Sequence, residues 1–187
     1  TTPSMARGSV PFAWEVVSQG STTAMSVKGA SVMFGVEGQD TAGIEGPTVF
    51  GINTSVGTTE SPILTIRNGR TLGGNQTNYV GVKINHVTIS CKGGANVYFT
   101  VRARRTATLT GTPSFAAVQT GMAAYLDTAA TGVSGGTVVY QQVYVETANI
   151  REDVGDKSNM YLEPGDALTF TAVASSGSTG IVAISVE

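Results

Sequence analysis

Histidine and cysteine each occur once in this sequence, as His86 and Cys91, and they are the first candidates for chemistry. A cysteine nucleophile needs a histidine base within hydrogen-bonding distance. A spacing of five residues places the two side chains on opposite faces of a regular strand. A transition-metal site needs several histidine or cysteine ligands. The sequence therefore predicts neither a Cys–His dyad nor a zinc site, and it predicts that Cys91 is a small core residue at the end of a strand.

Three acidic residues lie close together in the predicted loop 151–157. Carboxylate oxygens are ligands that calcium prefers. The three residues are Glu152, Asp153 and Asp156. Arg151 and Lys157 lie within the same run, and the spacing is not that of an EF-hand. The sequence therefore favours a solvated acidic loop over a calcium site, and it predicts no metal and no cofactor.

Three arginines stand together in the run RARR, and a strand that continues through it places Arg102 and Arg104 on one face and Arg105 on the other. Arg102 and Arg104 are candidate contacts for an acidic partner. The reading that the sequence favours is a charged edge strand that resists pairing with other sheets. The net charge of −2 argues against nucleic acid as a partner, because phosphate binding needs clustered basic side chains.

The elements that must position these residues are short strands within one domain. A chain of 187 residues is long enough for one sizeable core, and 24 glycines interrupt short runs of alternating apolar residues. Charged residues make up 13% of the chain, against about 25% in an average soluble domain. Either Ser, Thr, Asn and Gln supply the polar surface, or other subunits cover part of it.

The strongest hairpin pattern covers residues 80–101, with KGGA as its turn. The alternation slips around Asn85 and His86, which indicates a β-bulge. Further along, the segment 115–126 is ambiguous, because its apolar residues fit two short strands or one short helix.

The run TVVYQQVYV predicts a long strand with Tyr140 and Tyr144 on one face and valines on the other. Two apolar or aromatic faces predict burial on both sides, either inside the domain or under a neighbouring subunit. Tyr140 and Tyr144 are therefore candidate interface residues.

The ends of the chain complete the predicted architecture. Residues 1–23 contain two prolines and little alternation, which is typical of an extended arm anchored by Phe12 and Trp14, either on its own domain or on a neighbouring subunit. Residues 161–187 predict a corner, a strand, a Ser/Gly turn and a final strand, which we interpret as the closing hairpin of an antiparallel sheet. The fold class is thus an all-β antiparallel sandwich over residues 24–187, and the strand number and size favour a jelly roll.

The closing stretch, YLEPGDALTFTAVASSGSTGIVAISVE, resembles structural proteins of tailed bacteriophages, in particular capsid decoration, cement or head-fibre subunits. The resemblance lies in turn and core positions, so it assigns no functional residues. It implies a jelly-roll or sandwich subunit, commonly homotrimeric, on a capsid or tail.

Four classes of function fit the sequence. The favoured one is a non-enzymatic virion protein, a capsid decoration or cement subunit with a tail or head-fibre component as the variant. Its partners would be copies of itself, as a homotrimer, and the major capsid protein, without nucleic acid or membrane. The others are a carbohydrate-binding module, a cupin-type enzyme, which needs more histidines than one, and the shell protein of a small virus, which commonly has a more basic arm.

Cysteine usage predicts where the protein is made. A single cysteine leaves no internal disulfide framework, and no run of the sequence has the length and apolar character of a membrane span. We therefore expect synthesis in the host cytoplasm and incorporation into a virion.

Overall fold

A computed structural model describes residues 46–72, 76–177 and 179–187 of the chain, and this part is built almost entirely from β-strands. The strands are β1 Val49–Val56, β2 Ser61–Asn68, β3 Thr71–Leu72, β4 Gln76–Thr77, β5 Val82–Lys83, β6 His86–Lys92, β7 Tyr98–Arg105, β8 Thr108–Gly111, β9 Ala116–Ala117, β10 Ala124–Asp127, β11 Ala130–Ser134, β12 Thr137–Val145, β13 Asn149–Asp153, β14 Tyr161–Leu162, β15 Ala167–Ala174 and β16 Gly180–Val186. One 3₁₀ turn, Ser158–Met160, precedes β14. The predicted arm, with Phe12 and Trp14, lies outside the described residues.

Two antiparallel sheets form a jelly roll. The four-stranded sheet has the order β1-β16-β6-β13, and the six-stranded sheet has the order β12-β7-β15-β2-β10-β9. When β1, β2, β6, β7, β12, β13, β15 and β16 are counted one to eight, the sheets read 1-8-3-6 and 5-4-7-2. Every connection except that between the fourth and fifth of these strands therefore crosses to the opposite sheet, which is the winding of a jelly roll. The predicted all-β sandwich is confirmed for the described residues, and the predicted stretch 24–45 lies outside them.

The core lies between the sheets and follows the two-residue period of the strands. Phe99 on β7 and Phe170 on β15 are fully buried, and Ile184 on β16 faces them from the other sheet. Replacing either phenylalanine by alanine would cost about 3–5 kcal/mol of stability, the usual range for a buried aromatic side chain. The strands at the centre of the six-stranded sheet, β2 and β15, are buried on both faces, so even Thr65 and Thr169 are inaccessible and their hydroxyls hydrogen-bond to each other at 3.1 Å.

The segment between β7 and β12 is an insertion of four short strands. β9 and β10 extend the six-stranded sheet beyond β2, and β8 pairs with β11 in a separate ribbon that contacts β2. The ambiguous segment 115–126 therefore forms strands instead of a helix. The carboxylate of buried Asp127 stabilises the turn after β10 by accepting backbone N–H groups of Ala129 and Ala130.

Two predicted hairpins are wrong, because in each case the second strand crosses to the other sheet. β6 and β7 flank the KGGA turn, yet β6 pairs with β16 and β13, and β7 pairs with β12 and β15. The closing stretch behaves the same way, with β15 in the six-stranded sheet and β16 in the four-stranded sheet. Its inward positions were predicted correctly, since Leu168, Phe170, Val182 and Ile184 are all buried.

The slip near Asn85 is a break between two strands, not a bulge within one. β5 ends at Lys83 and pairs with β14, whereas β6 begins at His86 and pairs with β16. At the break, the backbone N–H groups of Asn85 and His86 both donate to the carbonyl oxygen of Glu187, at 2.8 and 3.2 Å. The end of the described chain thus satisfies the donors that a bulge would leave unpaired.

Candidate functional site

Four strands form the edges of the two sheets, and the sequence protects only two of them. β13, NIRED, carries three charged side chains, and β9 is only two residues long. Charges and short length are the usual means of preventing an edge from pairing with another chain. β12, TVVYQQVYV, and β1, VFGINTSV, are long and contain no charged residue. Among the described residues, each has a hydrogen-bonded strand on one side only.

The outward face of β12 carries an apolar cluster, which we call the β12 patch: Tyr98, Val143 and Val145. Val143 and Val145 are 55% and 53% exposed, and Tyr98 of β7 stands directly opposite Val145. On the opposite face of the same strand, Tyr144 is buried and stands opposite the buried Phe99 of β7. The valine face that the sequence predicted is therefore open at Val143 and Val145, whereas Val139 packs against the core because the pairing register shifts between Val138 and Tyr140.

The two tyrosines of β12 are used inside the sandwich. The hydroxyls of Tyr140 and Tyr144 lie 2.6 Å apart, and each donates to the carboxylate of Glu152 on β13 at 2.7 Å. Burial raises the pKa of both hydroxyls, so they stay protonated and act as donors. This cluster joins the two sheets along one side of the sandwich. Since Tyr144 is buried, the surface that β12 offers to a partner is its valine face.

A second apolar cluster, the β1 patch, consists of Phe50 and Ile52 on the outward face of β1. They are 55% and 49% exposed. Their neighbours across the sheet are the small residues Ser185 and Ala183 of β16, so the two large side chains protrude from the surface. β1 packs over β2, whereas β12 is joined to β13, so the β1 and β12 patches lie on opposite sides of the sandwich.

Arg102 and Arg104 project side by side from β7 and hold Glu60. Arg104 binds both carboxylate oxygens, Nε to Oε1 at 2.7 Å and Nη2 to Oε2 at 2.8 Å, and Arg102 Nη1 donates to Oε2 at 2.9 Å. The hydroxyl of buried Thr171 donates to the same carboxylate. The hydrogen bond from Arg104 is the main reason why the pKa of Glu60 falls to about 2, against the opposing effect of burial.

The acidic partner of this arginine pair is therefore part of the same chain. The prediction that the run RARR protects an edge strand is wrong, because β7 lies between β12 and β15 in the interior of its sheet. The neighbouring Arg105 points the other way, as expected, and binds Asp166 and the carbonyl oxygen of Tyr161. The shared carboxylate of Glu60 holds the two guanidinium groups in place on the outer face of the sheet.

The candidate catalytic and metal-binding residues are not brought together. Cys91 is buried among core residues, and burial raises its pKa to about 11, so it is an inert thiol at neutral pH. His86 lies on the opposite face of β6, with Nδ1 3.5 Å from a carboxylate oxygen of Glu187. Over the part of the chain that the structure describes, no group of three or more His, Cys, Asp or Glu residues is arranged to hold a metal ion.

A cleft of about 310 Å³ lies at the end of β2, near the corner before β15. Its lining residues are Arg67, Asn68, Gly69, Arg70, Thr71, Tyr125 and Gly165. The guanidinium of Arg67 lies over two aromatic rings, 4.0 Å from the centre of Phe115 and 5.4 Å from that of Tyr125. The cleft was not predicted, because its residues come from three segments that are distant in the sequence.

Glu60 and Glu152 organise the two side-chain clusters, and neither was singled out for that role from the sequence. Glu60 lies 42 residues before Arg102, in the turn between β1 and β2. Glu152 was read as part of a solvated loop, whereas it lies on β13 opposite Val87 and turns inward. The signal in the sequence was alternation: if residues 151–153 form a strand, Glu152 points to the opposite face from Arg151 and Asp153.

No protein-family model, curated protein or solved structure matches this chain. In the described portion, no helix has the length and apolar character needed to cross a membrane.

Proposed function

We propose that this chain is a non-enzymatic structural subunit of a virion, most concretely a capsid decoration or cement subunit, that assembles through its two uncharged sheet edges. The observation that carries the proposal is that β12 and β1 are both long, uncharged edge strands and that each also has an exposed apolar patch. Unprotected edges of this kind are templates for pairing with another chain. The resemblance of the closing stretch to tailed-phage structural proteins supports the virion setting, as does the jelly roll, a fold common in capsid proteins.

The two patches point to contact between copies of the chain. They lie on opposite sides of the sandwich, so the β12 edge of one copy meeting the β1 edge of the next is a head-to-tail contact. Head-to-tail contacts close into rings when the rotation between copies allows it. A three-membered ring is the homotrimer that the sequence predicted. In this arrangement every copy covers both of its patches, which accounts for the low charge of the chain.

Mixing two blocked variants tests the head-to-tail arrangement. Val143→Lys/Val145→Lys places charges on the β12 patch, and Phe50→Lys/Ile52→Lys places them on the β1 patch. Each variant alone should be monomeric, since each lacks one half of the contact. An equimolar mixture retains one intact β12–β1 contact and should form heterodimers, which mass photometry or light scattering would detect.

A contact between two β12 edges gives the opposite result in that experiment. The β1 variant alone would still dimerise, and mixing would add nothing. Such an outcome rejects the ring.

The virion setting has its own test. Particles purified from a culture that makes this protein should contain it in many copies, at a constant ratio to the major capsid protein, as measured by quantitative peptide mass spectrometry. A chain that remains in the soluble cytoplasmic fraction would contradict the proposal. Location on the head would separate the decoration role from a tail or head-fibre role.

The alternative function is a carbohydrate-binding module. The cleft lined by Arg67, Arg70 and Tyr125 favours it, because an aromatic ring beside polar donors is a common arrangement for holding a small polar ligand. A tail or head-fibre subunit would combine both roles.

A further inference from the structure

The described arginines divide into two groups. Arg102 and Arg104 bind Glu60, Arg105 binds Asp166, and Arg151 binds Glu187. The two arginines that line the cleft, Arg67 and Arg70, have no carboxylate oxygen of a described residue within 4.0 Å. Four of the described arginines thus have a carboxylate partner, whereas the two that line the cavity have none among the described residues.

A buried pair of asparagines lies beside the cleft, and one of them, Asn68, lines it. Asn78 Nδ2 donates to Asn68 Oδ1 and to the carbonyl oxygen of Gly69, both at 2.7 Å. Asn68 Nδ2 in turn donates to the carbonyl oxygens of Val80 and Leu162. This network fixes three segments of backbone around the cavity. Its hydrogen bonds are used internally, so the guanidinium groups are left as the charged donors for a ligand.

The walls of the cleft depend on two glycines. A Cβ atom at Gly69 would lie 2.6 Å from a ring carbon of Tyr125, so only glycine lets this ring close over the strand end. Gly165 has φ of +99°, and a Cβ atom there would lie 2.9 Å from Nε of Arg70. Both close approaches position cleft side chains.

We propose that this cleft binds a carboxylate-bearing sugar residue. Two guanidinium groups offer planar pairs of N–H donors, which match a carboxylate. The rings of Phe115 and Tyr125 lie against the guanidinium of Arg67 and hold it in place. A volume of about 310 Å³ suits a single small ring, and the cleft is also lined by Thr71 and by Gly69 and Gly165, whose residue types can supply hydrogen-bond partners for sugar hydroxyls. This inference does not depend on the proposed assembly.

The experiment titrates the full chain with three probes: methyl β-glucuronide, methyl β-glucoside and acetate. Changes in amide chemical shift would be followed by NMR at low salt. The glucuronide should bind in the millimolar range or tighter and perturb the amides of Gly69, Arg70 and Gly165. The neutral glucoside and acetate should each bind at least about tenfold more weakly, because each lacks half of the recognised groups.

Matched variants locate the site. Arg67→Gln and Arg70→Gln should each weaken glucuronide binding about tenfold or more, since each removes a charge-assisted hydrogen bond. Arg151→Gln, which alters an exposed pair on β13, is the control and should change binding by less than about twofold. Thermal melting of every variant confirms that the fold is retained.

Four outcomes would overturn the inference. Equal binding of the glucuronide and the glucoside removes the role of the carboxylate, and equal binding of the glucuronide and acetate removes the sugar. No saturable binding of the glucuronide rejects the site. Loss of self-association in Arg67→Gln, without glucuronide binding in the parent protein, would assign the cleft to a carboxylate of a neighbouring copy instead.

Discussion

β12 and β13 are the edge strands of the two sheets along the same border of the sandwich, but their outward faces differ in charge. Their inward faces are joined by the cluster of Tyr140, Tyr144 and Glu152. On the outside, β13 presents Arg151 and Asp153, whereas β12 presents uncharged side chains only.

The difference between these strands bears on function more directly than the fold does. Both edges need the inward cluster for stability, so the stability of the domain does not explain why only one edge is charged. Protection against strand pairing is needed where an edge must stay free, and its absence on β12 marks the place where a partner strand is expected. At the other border, β1 is long and uncharged, whereas β9 is protected by its length of only two residues.

The largest expected effect comes from charging the open face of β12. Val143→Lys/Val145→Lys should weaken self-association by about 100-fold or more, because lysines at an interface must be desolvated and have no acidic partner on the uncharged edge. The free energy of unfolding should change little, since both valines are exposed. Sedimentation velocity and urea unfolding would measure the two quantities. Equal losses of association and folding stability would show that these valines support the fold.

Lowering the pH tests a contribution to folding stability, the pairing of Glu60 with Arg104, that lies outside the two apolar patches. The pKa of Glu60 is lowered to about 2 from an ordinary value of 4.5, so its pairing with Arg104 stabilises the fold fully above pH 4.5 and is lost as the pH falls towards about 2. The free energy of unfolding should therefore fall in this window by about 2 kcal/mol more in the parent protein than in Glu60→Gln. Urea titrations at several pH values would measure it, and identical pH profiles would exclude Glu60 as the source.

Tyr144→Phe tests the inward face of β12 and should have a smaller effect. The change removes one buried hydroxyl but leaves the ring that packs beside Phe99. We expect a loss of about 1 kcal/mol in the free energy of unfolding, because Glu152 keeps its bond to Tyr140. The association constant of the folded protein should not change. A large loss of association measured by sedimentation would show that the tyrosines take part in the interface between subunits.

The smallest effect is expected on the protected edge. Asn149→Lys adds a lysine to the outward face of β13, where Asn149 is exposed and stands opposite the exposed Ser90. It should alter association and the free energy of unfolding by less than about 0.5 kcal/mol each. It is also the matched control for the β12 variant, and a comparable loss of association would remove the distinction between the two edges.

The sequence predicted the strands better than their partners. β2, β12 and β15 follow from alternation and turn signals, because these depend on neighbouring residues. The hairpin across KGGA failed because such a turn also permits a crossover, and β6 finds its partners more than 50 residues away in β13 and β16. Burial of Tyr144 and exposure of Val143 were not distinguishable either, since both faces of the strand are apolar and only the packing of the second sheet selects between them.

The side-chain clusters could not be predicted from local sequence patterns either, because their members are distant in the sequence. Arg102 and Arg104 were recognised as a pair on one face, but their partner Glu60 enters through the topology of β2 and β7. The cleft joins the end of β2 to Tyr125 from the inserted strands, and no local signal links those segments.

The native mass of the full chain, measured by light scattering over a concentration series, tests the central claim most directly. Assembly through the β12 and β1 edges predicts a homotrimer, three times the 19.2 kDa mass of the chain, that persists on dilution to micromolar concentration. A monomer at every concentration would contradict assembly through these edges, and the two apolar patches would then need another explanation.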